Sequence, residues 1–270
     1  MSLSLSRFAV QIADRVQSSD VMLTVLRHTP SSWKSWLKQQ YWKTRIKSGK
    51  GIVSTEGVTQ KYREALLWLK SEDGLLGDYL EFGVFNGTSL SCMHRVTEEL
   101  ELKDMRLFGF DSFAGLPETA EQESGGLWTG GSFQIDYPFT KNWLTQQGID
   151  WQRVFLIAGW YHETLTQKVI DEYKLTKASV IMIDCDLYSS ALEALKFCAP
   201  LIHERAVILF DDWFPLADQA KGEKKAFDEF LAAHPDISTC DLGSYDPTSR
   251  VFAVLRNNSA ATNAVTEVIS

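Results

Sequence analysis

Two apolar runs that each end in paired carboxylates constrain this chain more than any other feature. Val180-Ile-Met-Ile183 leads into Asp184-Cys-Asp186, and Ala206-Val-Ile-Leu-Phe210 leads into Asp211-Asp212. Continuous apolar runs of this length suit strands buried on both faces of a parallel sheet. Parallel neighbours deliver their carboxyl ends to one edge, where open α/β sheets bind ligands. The pattern therefore crowds Asp184, Asp186, Asp211 and Asp212 into one crevice. Two bare carboxylates about 5 Å apart repel by roughly 3 kcal/mol at an effective dielectric of about 20. Such a cluster needs bound protons, hydrogen-bond donors or a cation, and hard divalent ions such as Mg2+, Mn2+ or Ca2+ prefer oxygen ligands. The competing reading is that these acids cap the helices that follow, a role for which Asp186, just before Leu-Tyr-Ser, is well placed.

The rest of the chain repeats the α/β alternation. Gln60 to Lys70 is amphipathic, with Tyr62, Ala65, Leu66 and Leu69 on one helical face. Tyr79 to Gly83 reads as a strand and Thr88 to Leu100 as a helix. Arg106 to Phe110 and Val154 to Ile157 read as further strands, ending at Asp111 and Gly159. Lys221 to Ala233 is a helix, and Ile237 to Leu242 with Val251 to Leu255 form a hairpin-like pair. Seven strands with helices between the early ones predict an α/β fold. Ala114 to Thr145 is long for a connection and carries Gly125-Gly126 and Gly130-Gly131. It follows the second strand, so it hangs over the acidic edge as a substrate loop or a surface excursion.

Three segments are expected: residues 1–56 a helical arm or lid, 57–256 the α/β domain, and 257–270 a flexible tail. Phe8, Ile12 and Val16 give the start of the arm a helical rhythm. Its later part interleaves Trp33, Trp36, Tyr41 and Trp42 with Lys34, Lys38, Lys43, Arg45 and Lys47. Basic residues among aromatics mark either a membrane-surface or RNA contact or a lid or subunit contact with solvated lysines. The net charge of −8 over 270 residues favours the second, with no nucleic-acid partner and a homo-oligomer as the expected assembly. The four cysteines have no zinc-like or redox spacing. No apolar run approaches the roughly eighteen residues a membrane span needs, and the first residues lack a signal-peptide pattern. A soluble cytoplasmic protein without stable membrane insertion is the expectation.

Glu81-Phe-Gly83-Val-Phe-Asn-Gly87-Thr88-Ser89 sits where the first strand turns into a helix. Glycines there let backbone approach a ligand, and the helix N-terminus offers free N–H groups. Phe85 interrupts the dinucleotide fingerprint, and no phosphate-cradling Gly-Lys-Ser/Thr run is present. Asp111, ending the second strand, is placed to accept from ribose hydroxyls. An acid-rich rim suits a positively charged cofactor such as the sulfonium of S-adenosylmethionine.

Tyr79-Leu-Glu-Phe-Gly-Val, Phe110-Asp-Ser-Phe-Ala-Gly-Leu-Pro117, Gly159-Trp-Tyr-His-Glu-Thr-Leu165, Ile183-Asp-Cys-Asp-Leu-Tyr-Ser-Ser190 and Leu209-Phe-Asp-Asp-Trp213 together resemble the macrocin O-methyltransferase family. The resemblance covers about residues 78 to 256. It implies a Rossmann-like seven-stranded class I methyltransferase sheet with helices on both faces and an N-terminal helical extension. It implies S-adenosylmethionine and Mg2+ (or Mn2+ or Ca2+) as cofactors, and a sugar or small-molecule glycoside as substrate. Carried over by position, it makes Asp184, Asp211 and Asp212 the metal ligands and Asp186 the base. It makes Glu81, Gly83, Gly87, Thr88, Asp111, Ser112 and Trp160 the cofactor contacts. Cys185 stands where the family commonly has glycine. A metal-dependent hydrolase or phosphatase using the same acids, and a non-catalytic scaffold, are the alternatives. His162 reads as a peripheral histidine.

Overall fold

The computed structural model describes residues 31–47, 55–71, 75–219 and 221–257. The expected helical rhythm of residues 1–30 and the expected tail beyond Asn257 lie outside them. The described part opens with helices α1 (Ser31–Lys47) and α2 (Thr55–Lys70), followed by strand β1 (Asp78–Phe82) and helix α3 (Thr88–Glu99). Strand β2 (Leu107–Asp111) leads through α4 (Ala120–Ser124) and α5 (Tyr137–Gln146) to β3 (Val154–Ala158). Short helices α6 (Tyr161–Thr164) and α7 (Gln167–Tyr173) precede β4 (Ala178–Ile183), α8 (Tyr188–Cys198) and β5 (Arg205–Phe210). The chain closes with α9 (Gly222–Ala233), β6 (Ile237–Asp241) and β7 (Arg250–Arg256).

One seven-stranded sheet runs in the order β3-β2-β1-β4-β5-β7-β6. The first five strands are parallel, whereas β7 is antiparallel to both β5 and β6. This is the fold the resemblance implies, with β6 and β7 paired as the alternation suggested. Strand order reverses between β1 and β4, which is where such sheets open a crevice.

Alternation along each strand feeds two cores. Leu80, Phe82, Phe108, Phe110, Ile181, Ile183, Ile208 and Phe210 pack on one side against α8 and α9. Tyr79, Leu107, Val180, Met182, Val207 and Leu209 pack on the other against α2 and α3. In α2 the buried residues are Val58, Tyr62, Ala65, Leu66 and Leu69, spaced as a single helical stripe. Each large aliphatic side chain among them contributes roughly 1.5–3 kcal/mol on burial. Among the described residues no helix is long and apolar enough to cross a membrane.

The register sets up the site. Phe110, Phe82, Ile183 and Phe210 are cross-strand neighbours along one row. The ladder continues one rung beyond them: Gly83 N–H donates to Phe110 O (3.0 Å), Asp184 N–H to Phe82 O (2.9 Å) and Asp211 N–H to Ile183 O (3.0 Å). Gly83, Asp111, Asp184 and Asp211 thus occupy one level at the carboxyl edge.

The long segment after β2 differs from the loop expected of it. It contains α4 and α5, the latter started by Asp136, whose side chain accepts from Phe139 N–H, with Pro138 in the first turn. An Asp two residues ahead of a proline is a helix-start signal that the glycines around it masked. Helix α1 also differs from a solvated arm. Lys38 Nζ donates to Gly130 O at 3.3 Å, and Lys43 pairs with Asp136. Trp42 is buried with Ile46 and Ile135. The arm is packed on the segment that follows β2.

Candidate active site

A cavity of about 440 Å3 opens at the carboxyl edge, within the size range of small-molecule sites. One side is formed by Gly83 to Asn86, Thr88, Asp111 and Ser112, and the other by Asp184, Cys185, Asp186, Asp211 and Asp212. Leu116, Trp128 and Phe133, from the segment after β2, form part of its wall.

Gly83 is required by close approach. Its φ is +95°, and a Cβ there would lie 1.7 Å from Asp184 O. The turn it begins contains a strained residue, Phe85, with φ 51°. Left-handed backbone at a phenylalanine costs of order 1–3 kcal/mol and persists only where neighbours over-determine it. Here Asp111 does so: its Oδ2 accepts from Phe85 N–H (2.7 Å) and its Oδ1 from Phe113 N–H (2.6 Å), and Phe113 is left-handed too, at φ 52°. Trp42 backs the same wall, edge-on to Phe85 (5.2 Å between centroids) and 6.0 Å from Phe133. Asp111 thus organises two loops beside the cavity it lines.

Thr88, Ser112 and Trp160 line the cavity. Glu81 and Gly87 lie outside the lining. Gly87, with φ +77°, starts α3, and a Cβ there would meet the Leu144 side chain at 2.7 Å. Glu81 is fully buried and accepts from Tyr79 OH and from Ser89 OH, each at 2.6 Å, with Tyr79 OH bonded in turn to Tyr62 OH. Its side chain is on the interior side of β1, so it reaches the cavity only through Ser89.

Burial pushes the Glu81 carboxyl up to about 7 from an ordinary 4.5, against the opposing effect of the Ser89 and Tyr79 hydrogen bonds. The fold keeps this proton over the interval in which the unfolded chain releases it. The resulting stabilisation is complete below the unfolded value and is lost as pH rises through about 7. Glu81→Gln, which cannot titrate, is therefore expected to remove ~3 kcal/mol of pH dependence between pH about 4.5 and about 8. Urea midpoints of wild type and variant across that range measure it, and parallel curves would show that Glu81 titrates normally.

At the acidic side, one carboxylate oxygen from each of Asp184, Asp211 and Asp212 lies within 4.8 Å of the others. Burial first, then Asp211, Asp212, Asp186 and Glu223, push the Asp184 carboxyl well above the usual carboxylate range. Asp186 is pushed up as well, by burial, by the charge of Asp212 and by a side-chain hydrogen bond with it. Three hard oxygen donors, mutually repelling and open to one cavity, fit a divalent cation. The capping alternative fails for Asp186: the N-cap of α8 is Leu187, with no side-chain cap, and Asp186 itself is left-handed at φ 62°.

Two further residues shape this floor, and sequence reasoning passed over both. Tyr245, in the turn before β7, donates its hydroxyl to Asp211 Oδ1 at 2.7 Å. Glu223, in the first turn of α9, is fully buried behind Asp184 and Asp212. An acid in a first turn reads as an ordinary complement to the helix dipole, so nothing in the sequence marked it out. His162, 72% exposed at its side chain, stays at the rim beside Glu163.

Known proteins resemble this chain in sequence and fold. Demethyldecarbamoylnovobiocin O-methyltransferase of Streptomyces niveus is 23% identical over 213 residues, covering 74% of this chain and 77% of that protein. The 8-demethyl-8-(2,3-dimethoxy-alpha-L-rhamnosyl)-tetracenomycin-C 4'-O-methyltransferase of Streptomyces olivaceus is 26% identical over 147 residues, covering 52% of this chain and 54% of that protein. Among solved structures, the O-methyltransferase NovP superposes with a TM-score of 0.60 at 21% identity, over 77% of this chain and 81% of that one. CalS11, a calicheamicin methyltransferase, does so with a TM-score of 0.55 at 19% identity, over 88% and 90%. At these identities the two structures establish the fold alone. The macrocin-O-methyltransferase (TylF) family model matches residues 59–246, a span that holds the Gly83 turn, Asp111, Asp184, Asp186, Asp211 and Asp212. On that match this chain belongs to the macrocin O-methyltransferase family and is an O-methyltransferase.

Proposed function

We propose that this enzyme methylates a hydroxyl of a sugar, or of a sugar carried on a small molecule, using S-adenosylmethionine and a divalent cation. The observation that carries the reading is that the Gly83 turn with Asp111, and the Asp184–Asp211–Asp212 cluster, are two walls of one cavity. The acceptor class is supported by the Streptomyces olivaceus relative, whose name specifies a 4'-O-methylation on a rhamnosyl-bearing compound.

When bound, the cofactor supplies an electrophilic methyl group and the cation, Mg2+ or alternatively Mn2+ or Ca2+, supplies positive charge beside the acceptor oxygen. Asp184, Asp211 and Asp212 would hold the cation. Gly83 lines the cofactor side of the cavity, Asp111 would accept from the ribose, and Thr88, Ser112 and Trp160 would flank the cofactor. Asp186 takes the proton released by the acceptor hydroxyl. Phe85, Trp128 and Phe133 exclude water and fix the orientation of the reactants, which is the main contribution a protein makes to such a transfer.

S-adenosylhomocysteine is expected to raise the melting temperature, adding about 2.7 kcal/mol at a hundred times its dissociation constant. No shift at saturation, in a folded protein, would sink the cofactor reading. Asp111→Ala should weaken this binding by roughly 2 kcal/mol, the scale of charged hydrogen bonds, and leave metal affinity nearly intact. Calorimetry of each ligand separates the two.

A further inference from the structure

We infer that Glu223 is a positioning residue for the metal centre, its one carboxylate fixing the two peptide groups that follow Asp184 and Asp211. Glu223 Oε1 accepts from Cys185 N–H at 3.3 Å, and Oε2 accepts from Asp212 N–H at 3.1 Å. Those N–H groups belong to the loops after β4 and after β5, so a single side chain from α9 ties the two loops together. The preceding N–H in each loop, that of Asp184 or Asp211, is already held by the sheet. Each of these two aspartates is thereby bracketed, by the ladder on its amino side and by Glu223 on its carboxyl side.

The chemistry of the tie is specific to a carboxylate. The two N–H donors meet different oxygens of the carboxylate, and an amide there would turn its own NH2 toward one of them. Glu223 is fully buried and lies outside the cavity lining. It therefore acts through the loops it holds. The peptide groups it fixes belong to Cys185 and Asp212, beside the three aspartates that would hold the cation, which links Glu223 to the metal site. This inference rests on the metal-site reading proposed above.

The test is calorimetric titration of Mg2+ into the metal-stripped, full-length protein saturated with S-adenosylhomocysteine, using wild type, Glu223→Gln, Glu223→Asp and Asp184→Asn. Glu223→Gln is expected to raise the Mg2+ dissociation constant about ten- to a hundredfold, the usual cost of losing an outer partner, with S-adenosylhomocysteine affinity within about twofold of wild type. Glu223→Asp keeps both oxygens at shorter reach and should recover part of the metal affinity; if Glu223→Gln does not fold, weakened Mg2+ binding with normal cofactor binding in Glu223→Asp supports the inference instead. Wild-type Mg2+ affinity in the folded variants would overturn it. So would parallel losses of metal affinity, cofactor affinity and metal-free stability, the signature of a merely structural acid. If wild type takes up no more Mg2+ than Asp184→Asn, the metal-site reading itself fails, and the inference fails with it.

Discussion

Chelation is expected to abolish methyl transfer, with added Mg2+ restoring it, and Asp184→Asn, Asp211→Asn and Asp212→Asn should each lose most of the metal affinity. Each substitution exchanges an anionic oxygen for a neutral amide in a buried cluster. A unit charge at about 4 Å is worth about 4 kcal/mol at an effective dielectric of about 20, so losses of two to three orders of magnitude in affinity are expected. The same substitution should move metal-free stability in the opposite direction. Burial and the neighbouring acids hold the Asp184 carboxyl well above its usual range, which means that its charge near neutral pH works against the fold. For such a group stability is present at low pH and lost as pH rises, so Asp184→Asn removes a penalty at pH 7 and above. Calorimetric titration and chelator-treated melts read the two effects separately. Unchanged metal affinity in all three variants would return these aspartates to the role of strand-end acids.

Asp186→Asn is expected to reduce single-turnover methylation roughly a hundredfold or more, the usual contribution of a positioned general base, while cofactor binding stays close to wild type. The local structure makes this substitution informative. Asp186 is hydrogen-bonded to Asp212 through its side chain, and an asparagine has the same size and can keep that contact through its amide. Its left-handed φ of 62° is also one that asparagine tolerates. A large turnover loss with metal affinity retained therefore isolates the missing carboxylate as the proton acceptor. Loss of metal affinity would instead make Asp186 a fourth ligand, and normal turnover would remove it from the mechanism.

Much of the fold was legible because strand burial and sheet order leave local traces. The apolar runs of β4 and β5, the helical stripe of α2 and the paired final strands are written at periods a sequence displays directly. The acids that end β2, β4 and β5 could be assigned to one edge because parallel strands share a direction. The short helices α4, α6 and α7 left no comparable signal, and α5 announced itself only through Asp136 and Pro138.

What the sequence determined by itself was the sheet, its acidic edge and the resemblance carried by five motifs in order. Tertiary structure alone decided how that edge works. Glu81 and Asp111 look equivalent as strand acids. Yet the first faces a buried chain of hydroxyls, while the second pins two left-handed phenylalanines beside the cavity. Glu223 reaches Cys185 across 38 positions, and Tyr245 reaches Asp211 across 34. Trp42 backs Phe85 from a separate helix. Periodicity is a property of neighbours along the chain. These contacts join residues whose separation in sequence is arbitrary, and they exist only after loops and helices have closed over the sheet.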